Sequence, residues 1–341
     1  MIQLPRVLAT LVLLPAVLPA QEAPPDPLAA LRAEAAALRP QVESGVARAF
    51  LDATSALPAI EARTVYTNAD RSEWFTKAQA DALPEVESTA LTERVVDASF
   101  YWNTRYGSPV AYARALDLAA QHGLGPGASI ADFGCGGLGA PRLLASLGCR
   151  VAGIDVDPLL PALYSGAGDT GEIAAAKDGA AGRLALVTGQ WPADAATVAA
   201  MKAALPEGVD LFLSKNTLKN GYLHPSQPVD PRRLVHLGVA DEEFVRAVAE
   251  SLNPGGVFLI YNLCPAPAKE GEPYIPWADG RCPFPRAMLE GAGLQVVAFD
   301  QVDDAAARAM GDALGWDDGE HGMDLPNDLF AWYTLAVKPA R

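Results

Sequence analysis

Residues 131–139 read ADFGCGGLG, and this stretch decides the fold. Ala128-Ser129-Ile130 leads into it, and Ala140-Pro141-Arg142-Leu143-Leu144 follows. A short apolar run thus closes on a carboxylate, Asp132, and Phe133, crosses four glycines and enters a helix. A turn rich in glycine lets backbone approach a ligand closely, because glycine has no Cβ and tolerates positive φ.

The pattern Gly134-x-Gly136-x-x-Gly139 matches the dinucleotide fingerprint, and Asp155 follows about twenty residues later, where ribose would be held. An NAD-dependent oxidoreductase is therefore one reading. Asp132 argues against it. A pyrophosphate at the loop would face a carboxylate at short range, whereas a cationic amine would be welcome there.

Beyond the loop, the chain alternates strands and helices. Strands are expected at 129–133, 150–155, 184–188, 209–214, 257–263, 294–299 and 329–338. Helices are expected at 141–147, 241–252 and 286–292. Short apolar strands separated by helices predict a parallel sheet covered on both faces. Ligands on such sheets bind outside the carboxyl ends of the strands.

Upstream, residues 28–57 predict two helices broken at Pro40. Thr64-Val65-Tyr66 has strand character. Further helices are expected at 76–83, at 86–101, and from Pro109 to His122, with Gly123 as the stop. The stretch 28–122 is thereby expected to be a helical cap.

Four tracts together carry a resemblance. ADFGCGGLG, VAGIDVD (151–157), GVDLFLSKN (208–216) and LNPGGVFLIYNL (252–263) resemble, in order and spacing, the successive motifs of class I S-adenosylmethionine-dependent methyltransferases. The likeness covers roughly residues 123–341. It implies an α/β fold: a seven-stranded, mostly parallel Rossmann-like sheet whose last strand is antiparallel. It also implies S-adenosylmethionine as cofactor. Asp132 would help hold the methionine amine, beside Gly134 and Gly136, and Asp155 would accept both ribose hydroxyls. The chain departs from the family in having Leu138 where a glycine is usual, between Gly137 and Gly139. It also has Thr188-Gly189-Gln190-Trp191 where the family often carries an acid near the adenine amine. Gln190 can accept that hydrogen bond through its carbonyl. Trp191 either stacks on the ring or packs in the core.

The methyl acceptor is expected beyond the strand at 209–214, where SKNTLKNGYLHPS (214–226) is dense in polar groups. Asn216 is a candidate to orient an acceptor or touch the cofactor. His224 is the candidate base, since only imidazole titrates near neutrality unaided. Lys215 and Tyr222 are candidate acceptor contacts. In YWNTRYGSPV (101–110), Tyr101 and Tyr106 are candidate lid residues at the substrate, with Arg105 pairing the methionine carboxylate. The alternative for this tract is an aromatic seam between cap and sheet. No Cys/His cluster has metal-ligand spacing.

Composition limits the partners. Half of the 341 residues are hydrophobic, enough for a sizeable core, and the net charge is −15. A nucleic-acid binder needs a cationic face, and this chain offers only local pairs such as Arg232-Arg233, so no nucleic acid is expected. The acceptor is expected to be a small molecule or peptide. Residues 1–20 carry one arginine, an apolar run from Val7 to Leu18 and a small residue at Ala20, the layout of a secretory signal. The run is shorter than the roughly 20 residues that cross a bilayer. A Pro-rich linker at 21–27 follows. A periplasmic or secreted protein is expected, the alternatives being a tethered or cytoplasmic one with a mis-assigned start. A binding protein that keeps the fold without turnover is a further reading. Export would allow Cys264 and Cys282, which flank one loop, to pair. Cys135 and Cys149 are expected to stay thiols in the sheet core.

Overall fold

The computed structural model describes residues 26–103, 107–320 and 322–340. The expectations for residues 1–20, Arg105 and Tyr106 lie outside them.

The N-terminal part is not wholly helical. Helices Ala29–Leu38 and Gly45–Asp52 flank a turn at Pro40, as the sequence predicts. They are followed by strands β1 (Arg63–Thr67), β2 (Trp74–Thr76) and β3 (Thr92–Val96), which form a small antiparallel sheet in the order β2-β1-β3. The helix expected at 86–101 is instead a short helix Glu85–Ser88, the strand β3, and a helix Ala98–Asn103. Five register pairs, Arg63↔Val96 to Thr67↔Thr92, outweigh the helical spacing there. The Thr-Glu-Arg-Val-Val of β3 is rich in β-branched residues, which suit a pleated surface.

The cap is fastened to the rest of the molecule by a buried polar knot. The Arg63 guanidinium pairs with Asp169, with Nη2 donating to Oδ1 at 2.7 Å. Tyr101 Oη donates to the same Oδ1 at 2.8 Å, and Tyr164 Oη donates to the Tyr101 carbonyl at 2.8 Å.

The remainder is an α/β unit with a mostly parallel, Rossmann-like sheet. Its strands are β4 (Ser129–Phe133), β5 (Arg150–Asp155), β6 (Gly171–Ile173), β7 (Gly182–Thr188), β8 (Val209–Lys215), β9 (Leu252–Cys264), β10 (Gln295–Val302) and β11 (Phe330–Val337). They lie in the order β10-β11-β9-β8-β4-β5-β7-β6. β11 is inserted antiparallel between β9 and β10, as the resemblance implies. The sheet has eight strands rather than seven, because the short β6 adds an antiparallel edge to β7. Every residue of β4 is buried, as a strand flanked on both sides and covered on both faces must be. β9 begins earlier than expected, since Asn253-Pro254-Gly255-Gly256 is carried as an irregularity in its pairing with β8.

Two apolar layers cover the faces. Leu31, Phe50, Leu116, Leu143 and Leu144 belong to one, and Phe212, Phe244, Phe258 and Phe284 to the other. The chain runs outward from β4 through β5 to β7 and then returns to β8 on the other side of β4. That reversal opens a crevice at the carboxyl ends of β4 and β8, where ligands of such sheets bind.

Candidate active site

A cavity of about 800 Å³ occupies this crevice. Its first wall is the loop after β4. Gly134 has φ +73°, and a Cβ there would come within 2.1 Å of Thr217 Oγ1, so only glycine fits. The Gly134 N–H donates to the Ile154 carbonyl at 2.8 Å, which carries the loop over the end of β5. The Asp155 carboxylate at that strand end holds the loop from below. Its Oδ2 accepts the Gly136 N–H at 2.7 Å, and its Oδ1 accepts the Asp157 N–H at 2.9 Å. Burial raises the Asp155 carboxyl above its ordinary value, and these two N–H donors oppose the shift.

The departure at Leu138 has a packing explanation. Leu138 is buried in the core, and the close approach falls on Gly139 instead. A Cβ at Gly139 would lie 2.1 Å from the Trp102 carbonyl oxygen. The third glycine therefore lets the helix after the loop pack against Ala98–Asn103, which brings Trp102 and Asn103 to the cavity wall.

Behind the loop, Asp132 is fully buried. Tyr112 Oη donates to its Oδ1 at 3.4 Å, and its Oδ2 has no partner among the described residues. Burial pushes this carboxyl up to about 7, against the pull of Tyr112 and Lys215. A buried acceptor oxygen without a donor fits a ligand amine.

The second wall belongs to β8 and β9. Lys215 is buried at the end of β8, with its Nζ 5.2 Å from the centre of the Tyr112 ring. Burial, and then the neighbouring Lys219, push the Lys215 ammonium down to about 8. Asn216 has φ +66° and ties the two strands: its N–H donates to the Tyr261 carbonyl at 3.0 Å, and its Oδ1 accepts the Leu263 N–H at 2.7 Å. Lys219 Nζ donates to the carbonyls of Leu263 at 2.6 Å and Trp277 at 3.3 Å. Tyr222 lines the cavity beside it.

A third element roofs the cavity. The Gln190 amide nitrogen donates to the His236 carbonyl at 2.7 Å, joining the end of β7 to the segment Arg232–His236 on the rim.

The expected residues thus divide. Gly134, Gly136, Asp155, Gln190, Lys215, Asn216 and Tyr222 line one cavity, with Asp132 just behind its loop. Trp191 lines it too, yet only 4% of its surface is exposed. It packs 5.2 Å from Phe212 and 5.6 Å from Phe244, centre to centre, so it is chiefly part of the core. Two candidates are corrected. His224 is not among the lining residues, and its Nε2 lies 2.9 Å from Asp241 Oδ2 on the surface. Tyr101 is not among them either, because its hydroxyl is spent on Asp169 in the cap knot. The cysteines are all free and buried, including Cys264 and Cys282. Cys264 lies beside Lys219, and Cys282 belongs to the phenylalanine-rich layer.

Sequence reasoning missed Tyr112, Thr217, Trp102, Asn103, His236 and Trp277 as lining residues. Trp102, Asn103 and Thr217 lie in the tracts 101–110 and 214–226 that the sequence singles out, whereas Tyr112, His236 and Trp277 carried no signal. No group of His, Cys, Asp or Glu among the described residues could hold a metal ion, and no described helix is long and apolar enough to cross a membrane.

No family model and no curated protein matches the chain. Solved structures with a similar fold include a protein of Galdieria sulphuraria assigned as a sarcosine dimethylglycine methyltransferase. It has 13% identity and a TM-score of 0.38, over 68% of this chain and 85% of that one. The cyclase SpnF has 16% identity and a TM-score of 0.36, over 67% and 81%. A SAM-dependent methyltransferase from Methanosarcina mazei has 14% identity and a TM-score of 0.34, over 65% and 97%.

Proposed function

We propose that the chain is an S-adenosylmethionine-dependent methyltransferase acting on a small or medium-sized acceptor. The fold alone does not decide a reaction, so the reading stands on the site. The observation that carries it is the pair of carboxyls around the glycine loop. Asp155, anchored by the Gly136 N–H, lies at the cavity floor where two ribose hydroxyls would make charge-assisted bonds. Asp132, with an oxygen behind the same loop that has no partner among the described residues, fits an amine better than a pyrophosphate.

When bound, S-adenosylmethionine supplies a methyl group on a positively charged sulfur. The chain's own part is alignment of the acceptor with it. Asp132, Asp155, Gln190 and the loop from Gly134 to Gly137 serve the cofactor. Lys215, Asn216 and Tyr222 serve the acceptor from the β8 side. Calorimetry tests the reading. S-adenosylmethionine should bind and NAD should not, and preferential binding of NAD would replace the methyltransferase by an oxidoreductase.

The leader-like residues 1–20 support an exported protein with a mature chain beginning near Gln21. The mass of the protein isolated from its native host checks this, and an intact Met1 in the soluble cytoplasmic fraction would overturn it.

A further inference from the structure

The methyltransferase reading leaves the acceptor unnamed, and the charge of the cavity narrows it. The chain carries a net charge of −15, yet among the described residues lining the cavity only Asp155 is acidic, against Lys215, Lys219, Arg232 and Arg233. The imbalance is not spread evenly. Asp155 stands with the glycine loop, on the side assigned to the cofactor. Both lysines stand on the β8 side, among Tyr222, Leu263 and Trp277.

The four cations are not equivalent. Arg232 is exposed on the rim and pairs with Asp230 at 2.6 Å, and Arg233 beside it is exposed to solvent as well. Lys219 spends its ammonium on two carbonyls. Lys215 is different. It is 8% exposed and lines the cavity, and its ammonium makes no hydrogen bond and no ion pair among the described residues. Among the described residues its close partner is the face of the Tyr112 ring. Asp132 attracts it from behind the loop without reaching ion-pair distance. Three donors on a charge largely withdrawn from bulk water favour an acceptor in the cavity, because a ring face does not satisfy them. A cation in a low-dielectric cleft also focuses its field on what enters.

We propose that the methyl acceptor is a carboxylate on an apolar or aromatic body, its charged oxygens received by Lys215 and its body held by Tyr222, Leu263 and Trp277. This rests on the methyltransferase reading, since that reading assigns the other wall to the cofactor. The same ammonium lets the acidic protein admit an anion that its overall charge would repel.

The test uses matched probes that differ only in charge: benzoate against benzamide, and phenylacetate against phenylacetamide. Each is titrated into the full chain, with and without saturating S-adenosylhomocysteine. Trp102 and Trp277 line the cavity and report by fluorescence. At least one acid should bind about tenfold more tightly than its amide, the scale of a hydrogen bond to a charged group. Lys215→Met keeps the chain length and removes the charge, and it should abolish the preference while leaving the affinity for S-adenosylhomocysteine within about twofold. Amides that bind as well as acids in the wild type would overturn the proposal without recourse to any variant. So would a failure of every acid to bind at millimolar concentration, or a preference that survives Lys215→Met. A matching loss of S-adenosylhomocysteine affinity would also overturn it, by giving Lys215 to the cofactor's own carboxylate. Failure of S-adenosylhomocysteine to bind the wild type sinks the methyltransferase reading instead, and the titrations without it still decide the preference for acids.

Discussion

Replacing Asp155 with alanine is expected to weaken S-adenosylmethionine binding by about 3 kcal/mol, roughly 150-fold. The figure comes from what the carboxylate touches. Two ribose hydroxyls on a charged acceptor contribute about 1.5–3 kcal/mol each in favourable geometry. Desolvation of a carboxylate that is already largely buried adds little further cost on binding, so the two bonds at the lower figure, about 3 kcal/mol together, should be lost. A second effect acts in the same direction. Asp155 accepts the N–H groups of Gly136 and Asp157, at 2.7 and 2.9 Å, and alanine leaves both without their acceptor. The glycine loop then loses the anchor that presents it to the ligand. Asp155→Asn separates the two effects, because it keeps one carbonyl oxygen for the loop and removes the charge. It should lose less than alanine does. Calorimetry above neutral pH is the assay, since burial raises this carboxyl and only its ionised form accepts from both hydroxyls. Affinity should therefore fall as pH is lowered through the folded-state value. Unchanged affinity in a folded Asp155→Ala protein would refute the assignment of ribose to Asp155.

Three further outcomes are expected. In the ligand-free protein, Asp132→Asn should be stabilising at neutral pH: the folded carboxyl sits at about 7 against an ordinary 3.8, so its penalty is absent below 3.8 and complete only above the folded value. Urea unfolding should show the advantage over wild type growing between about pH 4 and pH 8, and a constant difference would mean that Asp132 is not held protonated. Gly139→Ala should cost about 1–3 kcal/mol of stability by overpacking, because the new methyl meets the Trp102 carbonyl, and a neutral effect on Tm would contradict the close approach. All four cysteines should resist a thiol reagent in the native protein and react on unfolding, whereas a native mass two hydrogens short would reveal a disulfide.

Much of the α/β unit was legible in the sequence. The bounds of β4 and β5 are those expected, because a strand buried on both faces must be a short continuous apolar run, and glycine or a charged residue ends it. Asp132 and Asp155 were legible for the same reason, each being the polar residue at or next to the end of such a run. The cap was not. β3 is a largely exposed strand whose partner, β1, lies far upstream, and nothing local distinguishes Thr92–Val96 from part of a helix. Tyr101 and His224 show a different limit. Residue type says what a side chain can do, but only packing says where it points, and both are taken by acids outside the cavity.

The sequence by itself determined the strand–helix alternation, the glycine turn and the two carboxyls beside it, since each depends on residues near in the chain. Only the tertiary structure decided that Tyr112 would reach Asp132, that Gly139 would meet Trp102, and that Lys215 would be buried against a cavity wall. The net charge of −15 had pointed away from any concentration of positive charge. Net charge is a sum over the chain, whereas the interaction a ligand meets depends on the distance and burial of a few groups, and those are fixed only when β8 and β9 are folded side by side.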